Sequence, residues 1–279
     1  MSRLLWDETG ARTYETGVKN GVLYVFDANQ EEYGTGVAWN GLTGVTNSPS
    51  GAEATALYAD DIKYLTLYSA EDFGATIEAY TYPEEFEECD GSAAIVPGVY
   101  IRGQERKMFA FSYVTTKGND TLGNAYGKKI HIIYGCRAGV SERAYSTIND
   151  SPEAITFSWE ITTTPVTLEG YKPVAHLEID STKVDATLLE AFENTLYGTQ
   201  STDPTLLLPA AIIEAFSGNP TYTYTEVSEP AAGTNPMGSG WYERTGGTGT
   251  SEDPYTYAKT ADTALVNAKK YYTLVVTNS

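Results

Sequence analysis

Residues that carry chemistry are scarce in this chain: there are two cysteines and two histidines in 279 residues. Cys89 and Cys136 stand far apart, with neither CxxC spacing nor a neighbouring histidine. That excludes a zinc ribbon or a disulfide scaffold, and both thiols are expected to stay free in a reducing cytoplasm. His131, within Lys129-Ile130-His131-Ile132-Ile133, and His176, within Val174-Ala175-His176-Leu177-Glu178, lie in strand-like runs. Neither belongs to an HExxH or a triad pattern, so a structural role is expected for both. Basic charge is scarce as well, with 18 Lys and Arg against 37 Asp and Glu and a net charge of −19. No basic patch large enough to neutralise a phosphate backbone is visible, which excludes tight nucleic-acid binding. The acid excess by itself implies solubility. Long apolar runs are missing too. No stretch approaches the roughly 18 residues of a membrane span, and Met1–Asp7 lacks the apolar core of a secretory signal. A soluble protein made in the cytosol is expected.

Weak matches to catalytic motifs fail on detail. Gly123-Asn124-Ala125-Tyr126-Gly127-Lys128-Lys129 is one residue too short for a phosphate loop and has Lys where Ser or Thr must hold magnesium, so it reads as a flexible hairpin tip. Gly246-Gly247-Thr248-Gly249 neither follows a long strand nor opens a helix, as a dinucleotide cradle must. Adjacent carboxylates occur at Asp60-Asp61, Glu71-Asp72, Glu84-Glu85 and Glu87-Glu88. In so acidic a chain such pairs arise by chance, and none sits in a glycosidase-like motif. The run from Glu84 to Asp90 lacks the central glycine of a calcium loop and reads as the solvated start of a helix. No catalytic, cofactor-binding or metal-binding residue is assigned, and no enzyme activity is expected.

What the chain does have is tyrosine, 22 of them, and alternation. A tyrosine ring with its hydroxyl suits half-buried strands and subunit interfaces. In Ile155-Thr156-Phe157-Ser158-Trp159-Glu160-Ile161-Thr162 every odd position is large and apolar and every even one polar, the signature of a strand with one wet face. Weaker strands are expected at 21–26, 35–46, 53–59, 62–68, 74–82, 107–115, 129–136 and 174–180. Many strands at short spacing imply a mainly β protein, a sandwich or barrel with antiparallel pairing. Leu188, Leu189, Phe192 and Leu196 share one face of a helix over 185–197, with Asp185 as its N-cap and Gly198 as its stop. A second helix starts at Pro209 and stops at Gly218-Asn219-Pro220, and a third, of one or two turns, at Pro83. Beyond Pro220 the composition turns to Thr, Gly, Ser, Pro and Glu. The expected division is therefore a main domain, 1–220, and a segment 221–279 that holds a linker over 221–254 and a small β module or arm, with short strands at Gly240-Trp241-Tyr242-Glu243, Pro254-Tyr255-Thr256-Tyr257 and 270–276 around a Gly-rich loop.

One resemblance goes beyond composition. Tyr14-Glu15-Thr16-Gly17-Val18, Gly21-Val22-Leu23-Tyr24 and Gly36-Val37-Ala38-Trp39-Asn40-Gly41-Leu42-Thr43 resemble the opening of major tail proteins of long-tailed bacteriophages of Gram-positive hosts. Ser48-Pro49-Ser50-Gly51-Ala52-Glu53, Ala79-Tyr80-Thr81-Tyr82-Pro83-Glu84-Glu85-Phe86, Cys89-Asp90-Gly91 and Ala175-His176-Leu177-Glu178-Ile179-Asp180 continue it. So does the helix ending Leu196-Tyr197-Gly198, and the similarity covers roughly residues 12–217.

The resemblance implies a structural protein of the virion tail, assembled in the host cytoplasm. Its six-fold rings join strands into one inner β-barrel and stack into a noncontractile tube. Implied partners are further copies of the chain and the tape measure, terminator and distal tail proteins. DNA slides through the lumen without tight binding, no membrane is involved, and no cofactor is implied. Within that frame the polar side of the best strand, Thr156, Ser158 and Glu160, with Glu78, is expected to face the lumen. The alternative places this face on the tube exterior. The hairpin 107–134 is expected to reach the next ring through its tip, 117–127, with Lys117, Gly118, Asn119, Asp120, Gly123 and Tyr126 as contacts. A contractile-tail inner tube, a capsid decoration protein and, from other classes, a carbohydrate-binding or other β-rich surface-binding module and a hydrolase remain as alternatives.

Overall fold

Alternation and turn residues become strands and hairpins throughout the computed structural model, which describes residues 4–51, 53–145, 147–148, 154–217, 220–226, 242–246, 256–259 and 272–278. In chain order these are β1 (Thr13–Asp27), β2 (Glu32–Tyr33), β3 (Val37–Trp39), β4 (Leu42–Asn47), β5 (Ser50–Gly51), β6 (Ala54–Ala59), β7 (Ile62–Tyr68), β8 (Glu71–Asp72), β9 (Gly74–Ala79), β10 (Ser92–Val96), β11 (Val99–Arg102), β12 (Phe109–Asn119), β13 (Gly123–Ala138), β14 (Phe157–Thr163) and β15 (His176–Asp180). Helices α1 (Ala186–Tyr197) and α2 (Pro209–Ser217) follow, then β16 (Pro220–Glu226), β17 (Tyr242–Gly246), β18 (Thr256–Lys259) and β19 (Tyr272–Asn278). The chain forms two compact units, one running to Val184 and including Leu208–Ala210, the other made of Asp185–Leu207 and Ala211 onward.

The first unit is built on one antiparallel sheet in the order β2-β1-β12-β13-β14-β9-β4, with β3 also on β1 and β15 also on β13. Its two ends curl toward each other. A Cβ placed on Gly21 of β1 would come within 2.5 Å of the Leu42 side chain of β4, so the strip wraps like a partly closed barrel around one hydrophobic cluster, while residues such as Tyr24, Ile130, Ile132 and Tyr134 are buried outside it. That cluster is aromatic at its centre. Trp159 of β14 is fully buried and meets Trp39, Phe86 and Tyr82 edge-on at centroid distances of 5.5, 5.1 and 5.4 Å. The Trp39 indole N–H donates to the Thr81 carbonyl at 2.9 Å, satisfying the one polar atom this ring brings inside. Both cysteines are free and buried in this cluster. Burial pushes the Cys89 thiol up to about 12 and raises that of Cys136, so neither is a nucleophile at neutral pH.

The bend of the strip has a local cause. Phe109 pairs with Cys136 and Phe111 with Ile133, so Tyr134 and Gly135 stand opposite Ala110 alone. Gly135 takes φ +61°, and a Cβ there would run into the Thr164 carbonyl. This bulge turns β13 from one partner to another, with Lys129–Ile133 pairing β15 and Cys136–Ala138 pairing β14.

The expected strands are present, with shifted ends and one split: the run at 35–46 breaks into β3 and β4 at Asn40-Gly41, where Gly41 has φ +74°. β1 begins well before residue 21, because its first half is exposed and polar and shows no alternation. Hairpin β10–β11 lies where no strand is expected. Its signal is Pro97-Gly98, with Gly98 at φ +81°, a type II turn pair. The helix expected at Pro83 is a single 3-10 turn, Glu84–Phe86.

In the second unit Asp185 caps α1 as expected: its carboxylate accepts from the backbone N–H groups of Thr187 and Leu188, at 2.9 and 3.2 Å. Gly198 follows the helix with φ +73°. Leu188, Leu189, Phe192 and Leu196 are the buried face, and the Phe192 and Phe216 rings lie 5.5 Å apart. Strands β16-β19-β17-β18 form a separate antiparallel sheet. The expected boundary at residue 220 falls at its first strand. Within the stretch expected as linker, 221–226 is strand, whereas β17, β18 and β19 overlap the short strands expected at 240–243, 254–257 and 270–276. The alternating Thr and Tyr of 221–225 have high strand propensity that a composition count conceals. Gly218-Asn219, Trp241, Gly247–Gly249 and Pro254-Tyr255 lie outside the described residues.

Candidate assembly surfaces

The wet face expected from alternation is a real face. In β14 Trp159 and Ile161 are buried, whereas Glu160 is exposed and Ser158 half-buried. Ser158 sits opposite Glu78 of β9, and Glu160 opposite Thr76, so Glu78, Ser158 and Glu160 share one side of two adjacent strands. β4 continues that side with Gly44 opposite Glu78 and Thr46 opposite Thr76. Thr156 is exposed and lies just before β14 begins. Two carboxylates among hydroxyls give the β9–β14 part of this face an acidic, hydrogen-bonding character, and the exposed Arg137 of β13, opposite Thr162, adds one cation at its border.

The tip expected over 117–127 is mostly strand. β12 runs to Asn119 and β13 starts at Gly123, leaving a turn of Asp120, Thr121 and Leu122. The six residues named for it are built into the fold. Asn119 is buried, donates to the Gly10 carbonyl at 3.2 Å, and accepts from the N–H groups of Thr121 and Leu122. Asp120 accepts from the Gly10 N–H at 2.9 Å, while its own N–H donates to the Arg12 carbonyl. Tyr14 lies across Gly118, where a Cβ would collide with its ring, and its hydroxyl donates to Asn124. Lys117 pairs with Asp180 and donates to the Thr182 hydroxyl at 3.0 Å, and its ammonium stands 6.0 Å from the Tyr126 ring. Gly123 has φ +56° and open space around its Cα. Glycines suggested a floppy loop; the incoming segment Gly10–Tyr14, whose contribution no local pattern reveals, ties it down.

The residues that do stand free belong to two hairpins outside the main sheet. Among the described residues β6 pairs only with β7 and β10 only with β11. In β6–β7, Leu57, Leu65 and Leu67 alternate with Tyr64 and Tyr68, so apolar groups stand on both faces, and all five are exposed. Tyr58 and Tyr68 are 72% and 73% exposed. The turn is Asp60-Asp61, both at positive φ, as a tight two-residue hairpin requires. β10–β11 adds Ile95, Val96, Val99 and Ile101, also exposed. A two-stranded hairpin is marginal in water by itself, and both hairpins hold large apolar side chains in solvent. The sequence showed 53–59 and 62–68 as strands and left 92–102 unassigned, and it did not show that these side chains stay exposed.

The two histidines are brought together. Phe73, His176, His131, Tyr113 and Phe111 form a line of neighbouring rings, each nearly parallel to the next. His131 Nδ1 and His176 Nε2 are 3.3 Å apart, and the His131 Nε2 edge meets the Thr115 hydroxyl at 3.0 Å. Burial lowers both pKa values, that of His176 to about 4, despite the Glu178 carboxylate nearby. Beyond them lies a lattice of charges: Lys129 bridges Glu15 and Glu178. At Asp180 burial acts to raise the pKa, but the hydrogen bonds from Lys117 and Thr182 outweigh it and hold the group at about 2. Among the described residues no three His, Cys, Asp or Glu side chains converge to hold a metal ion, and no helix is long and apolar enough to cross a membrane.

Compared with known proteins, the chain matches no family model, and no curated protein matches its sequence.

Proposed function

We propose that this chain is a structural subunit that polymerises with copies of itself, of the tail-tube kind its sequence resembles. The observation that carries the reading is the β6–β7 hairpin, which presents leucines and tyrosines to solvent on both faces. A second copy that covers it removes that surface from water at roughly 25 cal/mol per Å². A strand edge supports the same reading. Among the described residues β15 pairs only with β13, so it has an edge on which a neighbour's strand can add. Lateral pairing of this kind closes rings, and a head-to-tail contact between rings does not close on itself and so propagates into a tube.

In this reading the acidic and hydroxyl face of Glu78, Ser158 and Glu160 lines the conduit. Carboxylates repel a passing duplex within about 8 Å, the screening length at physiological salt, and leave it mobile. The subunit's partners are its siblings in hexameric rings and the proteins that measure, cap and terminate a virion tail. Negative-stain microscopy of the full chain across a concentration series tests this: rings or tubes support it, and a persistent monomer at high concentration overturns it. The exposed tyrosines Tyr58, Tyr64 and Tyr68 favour one second reading, a glycan-binding β module. That reading requires a monomer that binds an immobilised glycan panel and loses binding on Tyr58→Ala.

A further inference from the structure

The histidine pair has a geometry that restricts how many protons it holds. The rings are parallel to within 4° with centroids 5.5 Å apart, yet their facing nitrogens are separated by 3.3 Å. The gap between centroids is nearly the gap between nitrogens plus the two centre-to-nitrogen distances. The rings therefore meet edge to edge in one plane, joined by an N–H···N bond. One ring supplies the proton and the other the lone pair. We infer that His131 and His176 form a single-proton latch between β13 and β15: the pair keeps its bridge with one added proton and opens when it takes a second.

The proton count follows from the partners. With one added proton, His131 carries N–H on both nitrogens, donating Nδ1–H to His176 Nε2 and Nε2–H to the Thr115 hydroxyl. Glu178 of β15, 3.6 Å from Nδ1, stabilises that charge. Lys129 on β13 opposes it but is itself held by Glu15 of β1 and by Glu178. Tyr113 of β12 contributes a ring at 4.6 Å and has its hydroxyl turned to Asn47. A second proton must go to His176 Nε2, the lone pair the bridge uses. His176 is flanked by the uncharged Phe73 ring at 4.8 Å, and its charged neighbours are His131 and Glu178. Two N–H groups then point at one another, and the bridge is lost.

Opening starts at one end of β15. His176 is its first residue, opposite Ile133, and the Tyr134 N–H donates to the Ala175 carbonyl just beyond. The last residue, Asp180, is fastened by Lys117 and Thr182 and stays ionised well below pH 4. Ser181 adds two bonds to Lys128. Acid thus peels β15 from its N-terminal end, while the far end, four residues before the chain leaves the first unit at Val184, remains attached. This inference does not depend on the chain's role in assembly.

The sign is that of a base whose folded pKa is depressed: stability is complete above the ordinary value of 6.5 and is lost as pH falls toward 4. Imidazole nitrogen shifts and amide protection of the full chain, followed by NMR from pH 7 to 3.5, test it. The expected result is two separated titration steps. With the second, the Tyr134 protection factor falls on the order of a hundredfold by pH 4, while the Ser181 amide keeps its own. His176→Phe, which retains the ring against Phe73 and takes no proton, is expected to keep Tyr134 protected at pH 4. Independent titration of both rings near 6.5, or equal loss of protection at both ends of β15, overturns the latch. If the variant does not fold, the wild-type titration alone decides.

Discussion

The barrel-like body of the first unit and its β6–β7 hairpin are made from similar residues used in opposite ways. Around Trp159 each aromatic ring is covered by others, and even the Trp39 N–H has an acceptor. In β6–β7 the leucines and tyrosines stay exposed, Tyr58 and Tyr68 by more than 70%. Burial inside the body stabilises the monomer. Apolar surface left bare on a paired but isolated hairpin adds little to the monomer and a great deal to contact with a partner. The contrast separates residues that hold the fold from residues that use it.

Substitutions sharpen that separation in a graded series. Trp159→Ala is the most damaging: it leaves a cavity bounded by Trp39, Phe86 and Tyr82, and chemical denaturation is expected to show a loss of about 3–5 kcal/mol. Gly135→Val follows. It forces a branched residue to positive φ against the Thr164 carbonyl, at a cost of about 1–3 kcal/mol, and loosens the β13 bulge, which amide exchange at Cys136–Ala138 reports. Asp185→Ala removes the α1 cap and costs about 1 kcal/mol, with the first unit's exchange pattern unchanged. Asp180→Asn has a pH signature. The carboxylate titrates at about 2 when folded against an ordinary value of 3.8. Its contribution is complete above 3.8 and lost as pH falls to 2, so the variant flattens the acid limb of the stability curve there and costs at most about 1 kcal/mol at pH 7.

How much of this was legible in the sequence depended on how each residue earns its place. Trp159 and Ile161 announced themselves because β14 has one wet side, and alternation is the record of that. In β12 the six residues from Phe109 to Val114 are all buried, both faces being covered, so the strand reads as a plain apolar run. Asp185 was legible because a cap is a local event. Lys117, Asn119 and Asp120 were not: their partners, Asp180 and Gly10, are distant in sequence, and only the closed sheet brings them near. The glycines around them pointed to a loop, whereas Gly118 is bare because Tyr14 lies over it. His131 and His176 sit in no catalytic motif of the sequence, and their bridge depends on the β13–β15 register, which no local pattern reveals. The hairpins β6–β7 and β10–β11 were missed as surfaces for a related reason, since exposure is a property of what fails to pack against a segment.

The smallest expected effect on stability is also the decisive one for function. The triple substitution Leu57→Ser, Leu65→Ser and Leu67→Ser on one face of the β6–β7 hairpin is measured by thermal unfolding and by sedimentation with electron microscopy over a concentration series. The account predicts that monomer stability stays within about 0.5 kcal/mol while the rings or tubes formed by the unaltered chain disappear. Unchanged assembly in the triple variant, or a monomer that unfolds along with the lost assembly, would contradict it.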